Sequence, residues 1–154
     1  MTEESEHRTA LKKAMAICAG QECCSGDIRA KLELWGLKGP GADDIIAILI
    51  SEKFIDDSRY AAAFVKDRFN FYKWGKVKIA SHLRMKRIPE ETIGAALEEL
   101  DDELYRKAVR EIMSDHRRTI KAKNQYDLKA KMMRFGLSKG FESNLLYDIL
   151  NETD

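Results

Sequence analysis

The residues of this chain best suited to chemistry are cations gathered in two dense groups. The first group has no acidic residue among its members: Lys73, Lys76, Lys78, Arg84, Lys86 and Arg87. The second group follows about thirty residues later: Arg117, Arg118, Lys121 and Lys123. Cations concentrated in this way attract polyanions such as nucleic acid, or an acidic protein surface. These ten residues are therefore the candidate binding residues for DNA or for a partner protein.

The overall charge conceals these groups. The 154 residues include 27 Lys and Arg against 26 Asp and Glu, for a net charge of +1. Residues 58–88 carry nine basic groups and one acidic group. Residues 89–104 carry seven acidic groups and no basic group, and residues 105–131 carry nine basic groups and three acidic groups. A second interpretation stays open, in which Glu90, Glu91, Glu98 and Glu99 fold back and neutralise the first group in surface ion pairs.

Aromatic residues stand directly beside the first group, at Phe69, Phe71, Tyr72 and Trp74. Rings next to lysines can stack on single-stranded bases, although such rings more often pack in a core. One helix cannot bury aromatic side chains on successive faces. We expect Phe71 and Tyr72 to lie in the core and Trp74 to be the exposed ring.

No catalytic or metal-binding constellation appears in the sequence. The three cysteines fall in one short segment without a CxxC pair, the three histidines are scattered, and no phosphate-binding glycine loop occurs. The paired acids Asp56-Asp57 and Asp101-Asp102 suit helix capping better than catalysis. The longest apolar run, Ile45 to Ile50, is far too short to span a membrane. We therefore expect a cytoplasmic binding protein with no cofactor.

Apolar residues recur at spacings of three and four, which is typical of amphipathic helices and predicts an all-α fold. Only the run Ile45 to Ile50 could form a buried strand, and Asp43 and Asp44 before it favour a helix N-terminus. Gly36 and Gly136 follow helical stripes, so both are predicted to end helices in the left-handed conformation.

An internal repeat of about fifty residues aligns Leu32 with Leu83 and Met132, and Leu37 with Ile88 and Leu137. It predicts three tandem three-helix modules at residues 8–57, 58–102 and 103–154, after a flexible N-terminus at residues 1–7. Short helices in series predict an elongated, curved molecule that presents a long surface to its partner. No long heptad pattern occurs, so we expect a monomer.

The segment from Phe54 to Ala61 (FIDDSRYA) resembles a signature of the RecX family of bacterial recombinase regulators. The resemblance continues through Phe64, Val65 and Arg68, and then through Gly75, Ile79 and Leu83. Lys86, Arg87 and Ile88 stand where the family often has Lys-Gly-Ile. Arg87 departs from this pattern, and the substitution is expected to remove the usual glycine cap of the helix.

The resemblance implies an all-helical protein built of tandem three-helix repeats, without enzymatic activity or a cofactor. It further implies binding in the groove of the RecA filament on DNA, with inhibition of filament growth, ATP hydrolysis and strand exchange. Recombinational repair and the SOS response would be tempered in consequence. Two alternatives stay open: a helical module that binds DNA without a recombinase, and a helical scaffold for another protein partner.

Overall fold

The computed structural model describes residues 2–152, and these residues form nine α-helices and no strand. The helices are α1 (Glu3–Gly20), α2 (Ser25–Leu34), α3 (Pro40–Ser51), α4 (Asp57–Tyr72), α5 (Lys76–Met85), α6 (Glu90–Glu98), α7 (Asp102–Arg117), α8 (Gln125–Ser138) and α9 (Ser143–Glu152). The predicted all-α class is confirmed, and the run Ile45 to Ile50 lies in α3.

The chain forms two compact units. The first unit comprises Met1–Ala63 and Leu83–Ile93, and the second comprises Phe64–His82 and Gly94–Asp154. Buried residues of α1, α2 and α3 form the core of the first unit: Ala10, Ala14, Cys18, Ile28, Leu32, Ala42, Ile45, Ile46 and Leu49. Buried side chains of the second unit include Phe64, Phe69, Ile79, Tyr105, Val109, Met113, Phe141 and Leu146. The boundaries of the three modules stay a prediction.

Residues 3–7 of the predicted N-terminal segment lie in α1. The Thr2 hydroxyl oxygen accepts a hydrogen bond from the Ser5 amide at 3.2 Å and so caps the helix. The first turn also contains three glutamates, whose negative charges interact favourably with the positive end of the helix dipole. Met1 lies outside the described residues, as do residues 153–154 of the predicted third module.

The second helix of each predicted module shows the repeat most clearly. The amide of Leu37 donates to the Leu32 carbonyl at 2.8 Å, and the amide of Ile88 donates to the Leu83 carbonyl at 3.1 Å. This is the six-to-one hydrogen bond of a helix that ends in a left-handed residue. The two turns are 51 residues apart, in agreement with the spacing predicted from the sequence.

The third copy of this turn lies four residues later than predicted. There the amide of Phe141 donates to the Gly136 carbonyl at 3.1 Å, and Gly140 is the left-handed residue, with φ at 88°. Gly136 is buried inside α8, and Leu137 is 49% exposed. Both predictions for these residues were wrong because α8 has 14 residues where α2 and α5 have 10 each, which adds about one turn.

The helix turn at Arg87 keeps the geometry that a glycine would give. Arg87 adopts a φ of 62°, in the left-handed region, and the hydrogen bond from Ile88 to Leu83 forms around it. The expectation that Arg87 removes the cap was therefore wrong. Burial of Ile88, which is 4% exposed, and of Leu83 holds the turn closed against the steric cost of the arginine Cβ.

Candidate functional site

The turn between α4 and α5 is fixed to the end of α8 by its backbone. The Gly75 amide donates to the Lys139 carbonyl at 2.7 Å, and the Val77 amide donates to the Gly140 carbonyl at 2.9 Å. These bonds satisfy amides at the start of α5, which would otherwise lack a partner. The residues that begin α5 are consequently held in one orientation on the second unit.

Tyr105 of α7 also holds the turn between α4 and α5 in place. Its hydroxyl accepts a hydrogen bond from the Lys76 amide at 3.1 Å and donates one to the carboxylate of Glu142. Burial, and then the hydrogen bond to Glu142, raise the pKa of Tyr105 well above its usual range. The phenol therefore stays neutral, and the Lys76 ammonium lies 4.5 Å from the centre of its ring.

A cation–aromatic cluster is built around this turn. Its cations are Arg68, Lys73, Lys76 and Lys78, and its rings are Phe64, Phe69, Tyr72, Trp74 and Tyr105. The Lys78 ammonium lies 4.4 Å from the centre of the Trp74 ring, and the Arg68 guanidinium lies 5.4 Å from it. Each such contact is worth about 0.5–1 kcal/mol at an exposed site.

The aromatic side chains are exposed in a different order from the predicted one. Phe71 is 77% exposed and Tyr72 is 59% exposed, whereas Trp74 is half-buried. Trp74 folds back because its amide donates to the Arg68 carbonyl at 3.0 Å. Its ring then packs edge-on against the Phe64 ring, with 6.3 Å between the two ring centres. The last turn of α4 then leaves Phe71 and Tyr72 on the solvent side.

Carboxylates of the described residues do not neutralise the cations of the cluster. The segment from Arg68 to Pro89 contains no Asp or Glu, and within residues 2–152 the cations of the cluster form no ion pair. A ring face holds a cation in place but does not neutralise its charge, whereas a carboxylate neutralises it. The cluster therefore presents a localised, positively charged surface that can bind an anion.

Arg84 and Lys86 behave differently, since both meet carboxylates in the first unit. Arg84 forms a two-pronged ion pair with Glu90, which lowers the pKa of that carboxyl group. Lys86 donates to both carboxylate oxygens of Asp27, at 2.9 and 3.0 Å. Burial alone lowers the pKa of Lys86, but the hydrogen bond to Asp27 and the nearby Tyr60 outweigh it and raise the pKa. The neutralisation of the first group by nearby glutamates, left open by the sequence, thus occurs at Arg84, through Glu90.

The remaining predicted residues are exposed. Arg87 is the left-handed residue that follows α5. The end of α7 and the loop to α8 carry Arg117, Arg118, Lys121 and Lys123. This loop enters the N-terminal end of α8, whereas the cation–aromatic cluster adjoins its C-terminal end. Since α8 has 14 residues, the two groups of cations in the second unit are separated by about 21 Å of helix.

Sequence reasoning missed Arg68 and Tyr105 in this cluster. The spacing of Phe64, Arg68 and Tyr72 at intervals of four places them on one helix face and could have indicated Arg68. No local signal indicates Tyr105, because its partners lie 29 and 37 residues away. Across residues 2–152 no three metal-ligating side chains lie together, and no helix is long and apolar enough to cross a membrane.

Comparison with known proteins gives one consistent family. Residues 56–97 match the model of the second three-helix domain of RecX. The Regulatory protein RecX of Clostridium acetobutylicum is 30% identical over 155 residues, which cover 97% of this chain and 71% of that protein. Its counterpart from Mycolicibacterium smegmatis is 26% identical, over 94% of this chain and 81% of the relative.

Solved structures agree on the fold. A crystal structure of regulatory protein RecX superposes with a TM-score of 0.85 at 24% identity, over 96% of this chain and 72% of that one. The crystal structure of RecX from Lactobacillus salivarius gives a TM-score of 0.83 at 20% identity, over 97% of both chains. At these identities the likeness concerns the arrangement of the helices.

Proposed function

The chain belongs to the RecX family of regulatory proteins, and from that premise we propose that it binds the RecA filament on DNA and inhibits its activity. The activities affected are filament extension, ATP hydrolysis and strand exchange, and their inhibition modulates DNA repair and the SOS response. The protein acts as a cytoplasmic monomer, by occupying the groove of the filament, and it uses neither a catalytic residue nor a cofactor.

The cation–aromatic cluster is the observation that carries this proposal. A recombinase filament on DNA is a polyanion, and a surface that binds it needs cations whose charge is still available. Lys73, Lys76 and Lys78 meet that need because rings, and not carboxylates, hold them. Their backbone is also fixed before binding, which lowers the entropy lost on association.

A second candidate function, sequence-independent DNA binding without a recombinase, is favoured by the same unpaired charge. The two functions differ in their dependence on salt. If phosphates dominate, log affinity for duplex DNA falls with log salt by about 0.9 for each phosphate contacted. Inhibition that requires contact with the recombinase itself persists at physiological salt, whereas simple phosphate binding weakens steeply.

The deciding experiment measures ATP hydrolysis by the cognate recombinase on single-stranded DNA while this protein is titrated in at physiological salt. We expect inhibition at or below one copy per recombinase subunit. A triple variant with Lys73→Gln, Lys76→Gln and Lys78→Gln should need several-fold more protein for the same inhibition. The control is a variant with the same change of charge on exposed cations outside the cluster: Arg8→Gln, Lys12→Gln and Lys38→Gln.

The control variant should inhibit as the wild type does. Absence of inhibition by the wild-type protein would overturn the proposed function. Inhibition by the triple variant equal to that of the wild type, with a normal circular dichroism spectrum, would remove the cation–aromatic cluster from it.

A further inference from the structure

The segment from Arg117 to Lys139 is the most basic part of the second unit. It carries eight basic groups and one acidic group, Asp127. The segment begins at the end of α7, passes through the loop of residues 118–124, and continues along α8. Charge of one sign on so short a segment attracts a polyanion unless carboxylates neutralise it.

The single carboxylate, Asp127, is occupied within the segment. Its oxygen Oδ2 accepts a hydrogen bond from the Lys123 amide at 3.0 Å and lies 3.2 Å from the Lys131 ammonium. The hydrogen bond from Lys123, and then the one from Lys131, hold the pKa of Asp127 below its usual range. Asp127 thus meets the backbone amide of Lys123 and leaves the ammonium group of that residue in solvent.

The loop backbone is held in place on both sides. The Thr119 hydroxyl donates to the His116 carbonyl at 2.8 Å, and the Lys131 ammonium donates to the Lys121 carbonyl at 2.7 Å. At the other end the Asn124 side chain caps α8 by accepting from the Asp127 amide at 2.8 Å. The first turn of α8 is already capped in this way, so it is the side chains of the loop that remain to bind a ligand.

Tyr126 adds an aromatic ring to this charged loop. It is 85% exposed, the highest value among the exposed large hydrophobic residues that the structure describes. An exposed ring loses contact with water only when a partner covers it, and a ring between lysines can stack on an unpaired base. In duplex DNA the base faces are stacked on one another and are not available to such a ring.

We propose that Arg117, the loop of residues 118–124 and Tyr126 form a second DNA-binding surface that prefers single strands. Arg117, Arg118, Lys121 and Lys123 contact phosphates, and Tyr126 stacks on a base. The inference rests on the proposed function, which brings the protein to DNA, and it names the strand and the residues that meet it.

The test measures binding of the protein alone to fluorescently labelled poly-dT and to a duplex of equal length, by fluorescence anisotropy at several salt concentrations. We expect tighter binding to the single strand. Tyr126→Ala should weaken that binding by roughly 5- to 150-fold, whereas Tyr126→Phe should retain it. The double variant Lys121→Gln and Lys123→Gln should reduce the slope of log affinity against log salt by about 1.4.

Tyr147→Ala is the matched control, because Tyr147 is also exposed, at 64%, but lies next to Asp148 on α9. It should bind the single strand as the wild type does. Equal affinity of Tyr126→Ala and wild type, or equal affinity for single strand and duplex, would overturn the stacking surface. An unchanged salt slope in the lysine variant would overturn the phosphate contacts, and would indicate an acidic protein as the partner if that variant also lost inhibition.

Failure of this inference can be told apart from failure of the proposed function. DNA binding is measured without recombinase, and inhibition is measured through ATP hydrolysis. Absence of DNA binding with inhibition of ATP hydrolysis retained would overturn only the loop surface. Retention of DNA binding with no inhibition of the recombinase would overturn the proposed function and leave the loop surface in place.

Discussion

The Gly75 amide donates a hydrogen bond of 2.7 Å to the carbonyl of Lys139, 64 residues later in the chain. The two backbones approach so closely that a Cβ on Gly75 would lie 2.2 Å from the Gly140 carbonyl oxygen. The start of α5 is thereby fixed to the end of α8, and with it the orientation of Lys76 and Lys78. The glycine is needed for this approach, and its own φ is not in the left-handed region.

Gly75→Ala is therefore expected to destabilise the protein by about 1–3 kcal/mol, because backbone atoms must move to admit the methyl group. Gly94→Ala serves as the control, since Gly94 lies in α6 and a Cβ there meets no atom within 4 Å. That variant should gain about 0.5–1 kcal/mol from helix propensity. Urea unfolding would measure both values, and a stable Gly75→Ala variant would contradict the close packing.

Arg87→Gly should stabilise the protein by about 1 kcal/mol, because glycine adopts the left-handed conformation without the steric cost of a Cβ. The reverse change at the equivalent turn, Gly36→Ala, should cost a similar amount, since Gly36 has a φ of 91°. Thermal or urea unfolding would compare the two variants with the wild type. A loss of stability in Arg87→Gly would show that the arginine side chain stabilises the turn by contacts that outweigh its strain.

Lys78 and Arg84 should differ as binding residues although both belong to the first group of cations. Lys78→Gln removes a charge that no carboxylate of residues 2–152 pairs with, so the affinity for the filament or DNA should fall and the salt slope should shrink by about 1. The double variant Arg84→Gln and Glu90→Gln removes a neutral ion pair and should bind almost as the wild type does. Similar losses in both variants would contradict this division.

The cysteines should react slowly in the folded protein. Burial, and then the hydrogen bond to Cys23, raise the pKa of Cys18 to about 12, and burial raises the pKa of Cys24 to about 11. The nucleophilic thiolate is therefore scarce at about pH 8. Alkylation by iodoacetamide, followed by mass spectrometry, should be slow in buffer and rapid in urea. Rapid labelling of either thiol in the native state would contradict the burial.

Asp127 should contribute to the pH dependence of stability. Its pKa in the folded protein is lowered, so the stabilisation is present above the unfolded pKa and is lost as pH falls through the folded one. The melting temperature of Asp127→Asn should consequently fall less than that of the wild type between about pH 6 and pH 3. An equal fall in both proteins would indicate that the interactions of Asp127 with Lys123 and Lys131 do not stabilise the fold.

Much of the candidate site could be predicted, but not how its charges are used. The clusters of cations are evident in the sequence because like charges close in the chain stay close in space. Whether a carboxylate neutralises a cation depends on what faces that cation, and Lys86 meets Asp27 from 59 residues away. The exposure of Phe71, Tyr72 and Trp74 likewise depended on where α4 ends and on the backbone bond that turns Trp74 inward.

The sequence by itself determined the helical class, the approximate repeat and the family, because the spacing of apolar residues and a local signature are properties of neighbouring residues. Only the tertiary structure decided that α8 is one turn longer, so that Phe141 and not Leu137 is buried after it. It also decided that the Tyr105 ring holds Lys76 while the Asp27 carboxylate holds Lys86. Those outcomes depend on contacts between distant segments, and local patterns carry no information about which segments meet.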